Sequence, residues 1–124
     1  MTLLLIVEDN EMNADMLIRR LARKGFETCL AKNGLDAIKM AEELHPELIL
    51  MDISLPEMDG YEATHRIRNG VNGRVPIIAL TAHAMSEDRD KAIKAGCDEY
   101  ETKPVNFLSL MRKITALLER HDDV

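Results

Sequence analysis

Residues 48–60 read LILMDISLPEMDG, an apolar run that stops on a carboxylate, Asp52, and then turns through Pro56 and the Asp59-Gly60 pair. A run of four apolar residues with no polar alternation is the pattern of a strand buried on both faces, as in a parallel sheet. Leu3–Val7 and Val75–Leu80 read the same way. Two weaker strands complete the set. In Phe26–Ala31, Phe26, Thr28 and Leu30 alternate with Glu27 and Cys29, and a last strand covers Cys97–Glu101; both suit positions nearer the sheet edges.

Between these runs the period becomes helical. Ala14, Leu17, Ile18 and Leu21 form one apolar stripe opposite Asp15, Arg19, Arg20 and Arg23, and Gly25 ends it. Ala37, Met40, Ala41 and Leu44 form a second, closed by Pro46, and Phe107, Leu110, Met111, Ile114 and Leu118 a long terminal one. Two further helices are predicted at Tyr61–Asn69 and at Ser86–Ala95, the latter ended by Gly96 and carrying Arg89, Asp90, Lys91 and Lys94. The pairs Asn33-Gly34 and Asp59-Gly60 are read as turns between elements. Five strands alternating with five helices imply right-handed crossovers and a parallel sheet covered on both faces, a doubly wound α/β fold.

The 124 residues suffice for one core, so residues 1–124 are taken as a single domain with no linker, repeat or low-complexity tract. With two Phe, two Tyr and no Trp, stacking on bases or a flavin ring has little material, and eight Met are assigned to filling core space. A net charge of −6 argues against direct nucleic-acid binding and for a protein partner. Cys29 and Cys97 lack metal-ligand spacing and fit a reducing cytoplasm. No stretch has the length or leader of a signal peptide or membrane span, so neither export nor membrane insertion is expected.

In an open parallel sheet, ligands bind beyond the carboxyl ends of the strands, where strand order reverses. Polar residues follow the apolar runs at just these points: Glu8 and Asp9, Asp52, Thr81 and Lys103. Three carboxylates on one rim repel one another, and one lysine leaves an excess that a divalent cation would balance. With oxygen donors alone on offer, Mg²⁺ or Mn²⁺ is favoured over zinc. A carboxylate so screened can attack phosphorus, and phosphoryl transfer asks mainly for in-line positioning and positive charge on the phosphoryl oxygens.

Four blocks, Ile6–Asn10, Leu50–Gly60, Ala79–Ala82 and Thr102–Pro104, resemble the receiver domains of response regulators in two-component and phosphorelay signalling. The resemblance spans residues 3–120. It implies a flavodoxin-like sheet of order 2-1-3-4-5 with helices on both faces. It also implies Asp52 as phosphoacceptor, Glu8, Asp9 and Asp52 as metal-binding acids, and Ser54 as a ligand through its backbone carbonyl. Thr81, Ala82 and Lys103 would meet the phosphoryl group, and Thr81 and Tyr100 would form a switch pair. A cis Lys103–Pro104 bond is implied, and Ser54 and His83 hold positions that tune phosphoryl lifetime. The donor would be a phosphohistidine on a histidine kinase or histidine phosphotransfer protein, with the domain assisting its own phosphorylation and hydrolysis. The output would be a changed surface for a downstream protein, with phosphorylation-dependent dimerisation open.

Each residue also has a plainer role. Asp52 could cap a helix, Glu8 and Asp9 could favour a helix dipole, Lys103 could be a solvated surface residue, and Thr81 and Tyr100 could simply pack. His45, His65, His83 and His121 read mostly as surface polar residues, with His83 the exception to watch. An aspartyl-nucleophile phosphatase would need a second acid two residues after Asp52, where Ser54 stands, and a cap insertion. A flavodoxin-like electron carrier would need a hydroxyl- and Gly-rich first loop in place of the acidic one. A receiver-like interaction module without phosphorylation is opposed by intact Asp52, Thr81 and Lys103. No output domain is expected after the last helix, which suggests a single-domain regulator, with the excised receiver of a hybrid histidine kinase as the alternative.

Overall fold

The continuous apolar runs form the centre of one sheet. The computed structural model describes residues 2–82 and 85–122, the last two without side-chain detail, so His83 lies outside the described residues. The elements are β1 (Leu3–Val7), α1 (Glu11–Arg23), β2 (Glu27–Ala31), α2 (Gly34–Leu44), β3 (Leu48–Asp52), α3 (Gly60–Arg68), β4 (Ile77–Thr81), α4 (Ser86–Ala95), β5 (Glu99–Thr102) and α5 (Phe107–Asp122). All strand pairs are parallel, in the order β2-β1-β3-β4-β5. The two alternating or polar runs are the edges, as their sequences anticipate.

Alternate residues of each central strand enter different cores, so every position must be apolar. Leu5, Val7, Ile49, Met51, Ile77 and Ala79 pack into one cluster with Ala37, Ala41, Ala63, Ile67 and Ala92 of α2, α3 and α4. Leu4, Ile6, Leu48, Leu50, Ile78 and Leu80 pack into the other with Leu17 and Leu21 of α1 and Leu110, Ile114 and Leu117 of α5. Each fully buried Leu or Ile contributes about 1.5–3 kcal/mol. The sheet is thus held between two helical layers.

Several boundaries and stripes differ from the sequence reading. β4 begins at Ile77 because Pro76 has no N–H for the ladder. β5 begins at Glu99 because Asp98 fills the preceding ladder position with its side chain: its Oδ2 accepts from the Ile77 N–H at 2.9 Å, while its own N–H donates to the Ile77 carbonyl at 2.8 Å. On α5 Leu117 is buried and Leu118 only partly so, and Leu44 of α2 is 46% exposed. Met51 does fill the core, but Met12, Met16 and Met85 are exposed at 82%, 46% and 65%.

Asn33-Gly34 and Asp59-Gly60 are helix starts rather than free turns. Asn33 Oδ1 accepts from the Asp36 N–H at 2.8 Å and Asp59 Oδ1 from the Glu62 N–H at 2.9 Å. Asn10 and Asn106 cap α1 and α5 in the same way. At α4 the capping position is Met85, which offers no side-chain hydrogen bond.

Candidate functional site

Sheet register brings the polar residues to one rim. Val7 is level with Met51, Asp52 with Leu80, and Thr81 with Thr102, so Glu8, Asp52, Thr81 and Lys103 leave their strands at one height. The rim lies where the chain reverses its direction of travel across the sheet, between β1 and β3. Backbone bonds extend the register one residue further: Glu8 N–H donates to the Ala31 carbonyl at 3.0 Å and Lys103 N–H to the Thr81 carbonyl at 2.7 Å. The Lys103–Pro104 peptide is cis.

Asp52 is fixed from below by a glycine. Gly60 N–H donates to the Ile53 carbonyl at 3.0 Å, drawing the start of α3 against the end of β3. A Cβ at residue 60 would lie 2.5 Å from the Asp52 carbonyl oxygen and 2.8 Å from Ile53 Cα, so no side chain fits there. Between them the loop folds back through Glu57 in the left-handed region, φ 64°.

Glu8, Asp52 and Thr81 are buried, with exposures of 1%, 2% and 2%, whereas Asp9 is exposed. Lys103 Nζ stands 2.8 Å from Glu8 Oε1 and 3.2 Å from Asp52 Oδ2. Asp52 Oδ1 accepts from the Ser54 N–H at 3.0 Å, and Glu8 Oε2 from the Asn10 N–H at 3.2 Å. Carboxylate oxygens of Glu8, Asp9 and Asp52 all come within 4.8 Å of one another.

Burial raises the pKa of Glu8, and hydrogen bonding and repulsion from Asp52 raise it further, outweighing the lowering by Lys103 and the Asn10 amide. Burial alone would lower that of Lys103, but Glu8 and Asp52 more than offset it and the ammonium is stabilised. Both directions express one fact: the pocket holds more negative charge than a single ammonium neutralises. A three-carboxylate, all-oxygen donor set with that excess fits a small hard dication.

Of the residues singled out from sequence, Glu8, Asp9, Asp52 and Lys103 meet in one pocket, with buried Thr81 on the same rim and exposed Ser54 and Ala82 beside it. Tyr100 does not join them. It lies level with Ala79 on β5 and packs, partly buried, against the apolar cluster beneath α3 and α4.

Sequence reasoning missed three positioning features. Gly60 is one, although its pairing with Asp59 signalled a special backbone. Arg68 is another: its guanidinium donates to the carbonyls of Gly96 at 2.8 Å, Gly73 at 3.0 Å and Val75, and to Asp98 Oδ2 at 2.7 Å. The third is Glu101, buried on β5 and held to α5 by Lys113 at 2.9 Å and Ser109 at 3.0 Å. Neither of the last two has a sequence signature, since their partners are backbone groups or residues whose proximity only the fold creates.

A doubly wound parallel sheet with a carboxylate cluster and one lysine at its switch point defines a class of domain suited to a phosphoryl group and a hard cation. The chain belongs to the response regulator receiver domain family, which matches residues 4–115, and it is a receiver domain of two-component signalling. It is 47% identical over 111 residues to hybrid signal transduction histidine kinase G of Dictyostelium discoideum, spanning 86% of this chain but 3% of that protein. To the polar-differentiation response regulator DivK of Brucella ovis it is 39% identical over 115 residues, 92% of this chain and 94% of DivK.

Among solved structures, it is similar to the receiver domain of a Pseudomonas aeruginosa sensor histidine kinase with a magnesium ion coordinated in the active-site cleft. The TM-score is 0.88 at 39% identity, over 95% of this chain and 98% of that one. It is also similar to a chain in the co-crystal structure of the Saccharomyces cerevisiae histidine phosphotransfer signaling protein Ypd1 with the receiver domain of its downstream response regulator Ssk1. There the TM-score is 0.85 at 38% identity, over 92% and 86% of the two chains. No helix among the described residues is long and apolar enough to cross a membrane.

Proposed function

We propose that the chain is a phosphorylation-dependent switch whose phosphoacceptor is Asp52. The observation that carries this reading is the placement of a buried Asp52 carboxylate 3.2 Å from the Lys103 ammonium, inside a cluster of three carboxylates. Glu8, Asp9 and Asp52, with the backbone carbonyl of Ser54, would hold Mg²⁺. The ion supplies positive charge against the phosphoryl oxygens and lessens the repulsion between carboxylates and the incoming anion.

An Asp52 carboxylate oxygen forms the new O–P bond while the P–N bond to the donor histidine breaks, and the departing imidazole nitrogen keeps the bonding pair and takes a proton. Asp52 Oδ1 is oriented by the Ser54 amide, and Oδ2 faces Lys103. Lys103 remains protonated throughout and pairs with phosphoryl oxygen as charge builds there. The Thr81 hydroxyl donates to another phosphoryl oxygen, with exposed Ala82 leaving the approach open. In this way the domain assists its own phosphorylation and, with water in place of imidazole, its hydrolysis.

Movement of Thr81 toward the phosphoryl group opens space that the Tyr100 ring fills, reshaping the surface near α4 for a downstream protein. The donor is a histidine kinase or a histidine phosphotransfer protein in the cytoplasm. The match along 94% of DivK supports a single-domain regulator or relay intermediate, and the match within the hybrid kinase supports a second reading, a receiver carried in a longer chain.

Acetyl phosphate or beryllofluoride, added with and without Mg²⁺, tests the proposal by intact mass and amide chemical shifts. The expected outcome is a cation-dependent adduct and shift changes reaching α4, both abolished in Asp52→Asn. Folded, metal-loaded wild-type protein that stays unmodified would sink it.

A further inference from the structure

Asparagine is followed by glycine three times, at residues 33–34, 69–70 and 72–73. Such a pair can react with itself. Once its proton has passed to hydroxide, the glycine nitrogen bonds to the asparagine Cγ. The Cγ–Nδ2 bond then breaks, and the nitrogen leaves as ammonia with the bonding pair and a proton from solvent. The succinimide ring left behind takes up water at either carbonyl, giving aspartate or an isoaspartate whose main chain runs through Cγ. Nothing is oxidised or reduced, and water is the one co-reactant. Glycine favours closure because it has no Cβ to hinder the approach, and the rate follows how closely folding lets the nitrogen meet Cγ.

Folding restrains two of the three pairs. The Asn33 carboxamide is held at both ends, Oδ1 accepting from the Asp36 N–H at 2.8 Å and Nδ2 donating to Asp36 Oδ2 at 3.0 Å. Gly34 is buried against Met58, which shields its amide from solvent base. At Asn69 the nucleophile itself is engaged: Gly70 N–H donates to the Ile67 carbonyl at 3.0 Å, and Asn69 Nδ2 to the His65 carbonyl at 2.9 Å.

Asn72 has neither restraint. Its carboxamide makes one contact, from Nδ2 to the Pro46 carbonyl at 3.3 Å, and its carbonyl accepts from the Val75 N–H at 3.3 Å, both long bonds. The Gly73 N–H is not among the donors that tie this turn, and both residues are half-buried, within reach of solvent. A Cβ at residue 73 would lie 2.5 Å from the Arg68 carbonyl oxygen and 3.2 Å from that of Gly70, so only glycine fits. The packing that closes the turn on the end of α3 thus demands the residue that makes Asn72 most reactive.

We propose that Asn72 is a self-modifying site, converted by water to aspartate and isoaspartate ahead of Asn33 and Asn69. This is independent of whether Asp52 accepts phosphate. A carboxylate at residue 72 offers the Pro46 carbonyl no donor. The isoaspartyl form also adds a methylene to the chain immediately before Gly73, whose carbonyl accepts from Arg68 at 3.0 Å. Conversion therefore disturbs the Arg68 contacts beside the amino ends of β4 and β5, at the far end of these strands from Asp52.

The test ages the folded protein and the same chain in urea side by side at mildly alkaline pH. Trypsin releases residues 69–74 as one peptide, and fragmenting it places the amide-to-acid mass gain and separates isoaspartate from aspartate; residue 33 is read from its own peptide. In the folded protein, conversion at Asn72 should be at least about tenfold faster than at Asn33 or Asn69. In urea the three rates should converge, because glycine follows each. The aged folded protein should show a lower urea midpoint, whereas Asn72→Gln, whose longer side chain closes a ring far more slowly, should keep its midpoint. Faster conversion at Asn33 or Asn69, equal rates at all three in the folded protein, or an Asn72 that reacts in urea but stays intact when folded would overturn the proposal. An equal fall in the midpoint of aged Asn72→Gln would overturn the consequence for Arg68.

Discussion

The Lys103 ammonium lies 2.8 Å from the Glu8 carboxylate, a contact between residues 95 apart in sequence that closes the site across the sheet. Because Asp52 shares the same ammonium at 3.2 Å, three charges are balanced against one another in a pocket largely shut off from water. Removing one negative charge should relieve repulsion, whereas removing the positive one should expose it. In metal-free buffer, Asp52→Asn is expected to stabilise the fold by about 1 kcal/mol and Lys103→Ala to destabilise it by about 1–3 kcal/mol. Mg²⁺ should narrow the gap between Lys103→Ala and wild type. Thermal unfolding with EDTA and with Mg²⁺ checks this, and destabilisation by Asp52→Asn under EDTA would show that Asp52 is held by structure rather than strained by charge.

Gly60 and Gly25 offer a matched pair of alanine substitutions. A Cβ at residue 60 meets the Asp52 carbonyl oxygen at 2.5 Å, whereas one at residue 25 meets nothing within 4 Å but must accept φ +90°. Gly25→Ala should therefore cost about 1 kcal/mol, the conformational penalty alone. Gly60→Ala should cost about 3 kcal/mol or more, because backbone has to move. It should also lower the yield of acetyl phosphate labelling at Asp52, since the displaced backbone carries that carboxylate. Urea midpoints read the first effect and intact mass the second.

The parallel sheet was legible because Leu4 to Val7, Leu48 to Met51 and Ile77 to Leu80 are apolar at every position, a demand imposed by helices on both faces. Glu8, Asp9, Asp52 and Lys103 were legible as a site because each ends an apolar run or strand or stands within two residues beyond one, and topology then carries them to one rim. The start of β5 was not, because Asp98 uses a side chain where a ladder would use backbone. Exposed Met12 and Met16 were also missed: apolar composition says nothing of which helix face a residue occupies when no partner is in view.

Arg68 shows the same limit and yields a prediction. Its guanidinium satisfies the carbonyls of Gly73, Val75 and Gly96 and the carboxylate of Asp98, tying the end of α3 to the turns before β4 and β5. Arg68→Ala removes this donor from the three carbonyls and the cationic partner from Asp98, which keeps the Ile77 amide, and should cost about 2–4 kcal/mol. Arg68→Lys should recover less than half of that, because a lone ammonium cannot reproduce the planar fork. Chemical denaturation of the two variants decides between them, and full rescue by lysine would reduce Arg68 to a simple counter-ion for Asp98.

The Cys97 thiol links stability to alkaline pH. It is 5% exposed, and burial, opposed in part by its contact with the Thr64 hydroxyl and by Arg68, pushes its pKa from 9.0 up to about 11. Between those values the unfolded chain has lost a proton that the folded chain keeps, so stability falls as pH rises across about 9 to 11. A two-unit difference corresponds to roughly 2–3 kcal/mol at the upper limit. Cys97→Ala should flatten the slope over that window while lowering stability modestly at neutral pH, where Thr64 loses its 3.7 Å partner. Urea unfolding at pH 8, 9 and 10 provides the comparison, and an unchanged slope in the variant would place the alkaline loss elsewhere.

α4 is the helix with the weakest start. Asn10, Asn33, Asp59 and Asn106 each lend a side-chain oxygen to the first turn of α1, α2, α3 and α5, but at α4 the position falls to Met85, exposed and without such a bond. Ala92 is the one buried residue of this helix, so little packing compensates. Its amides at the N-terminus should open more readily than those of the other helices. Met85→Ser supplies the missing acceptor without adding to the charge of Glu87 and Asp88, and should stabilise the protein by about 0.5–1 kcal/mol. The gain should appear as a higher urea midpoint at constant m-value, with slower hydrogen exchange at the Glu87 and Asp88 amides in particular. If α4 is also the surface that phosphorylation reshapes, the capped variant should bind beryllofluoride while showing smaller amide shifts along this helix. Tighter exchange with undiminished shifts would mean that the response does not require the start of α4 to loosen.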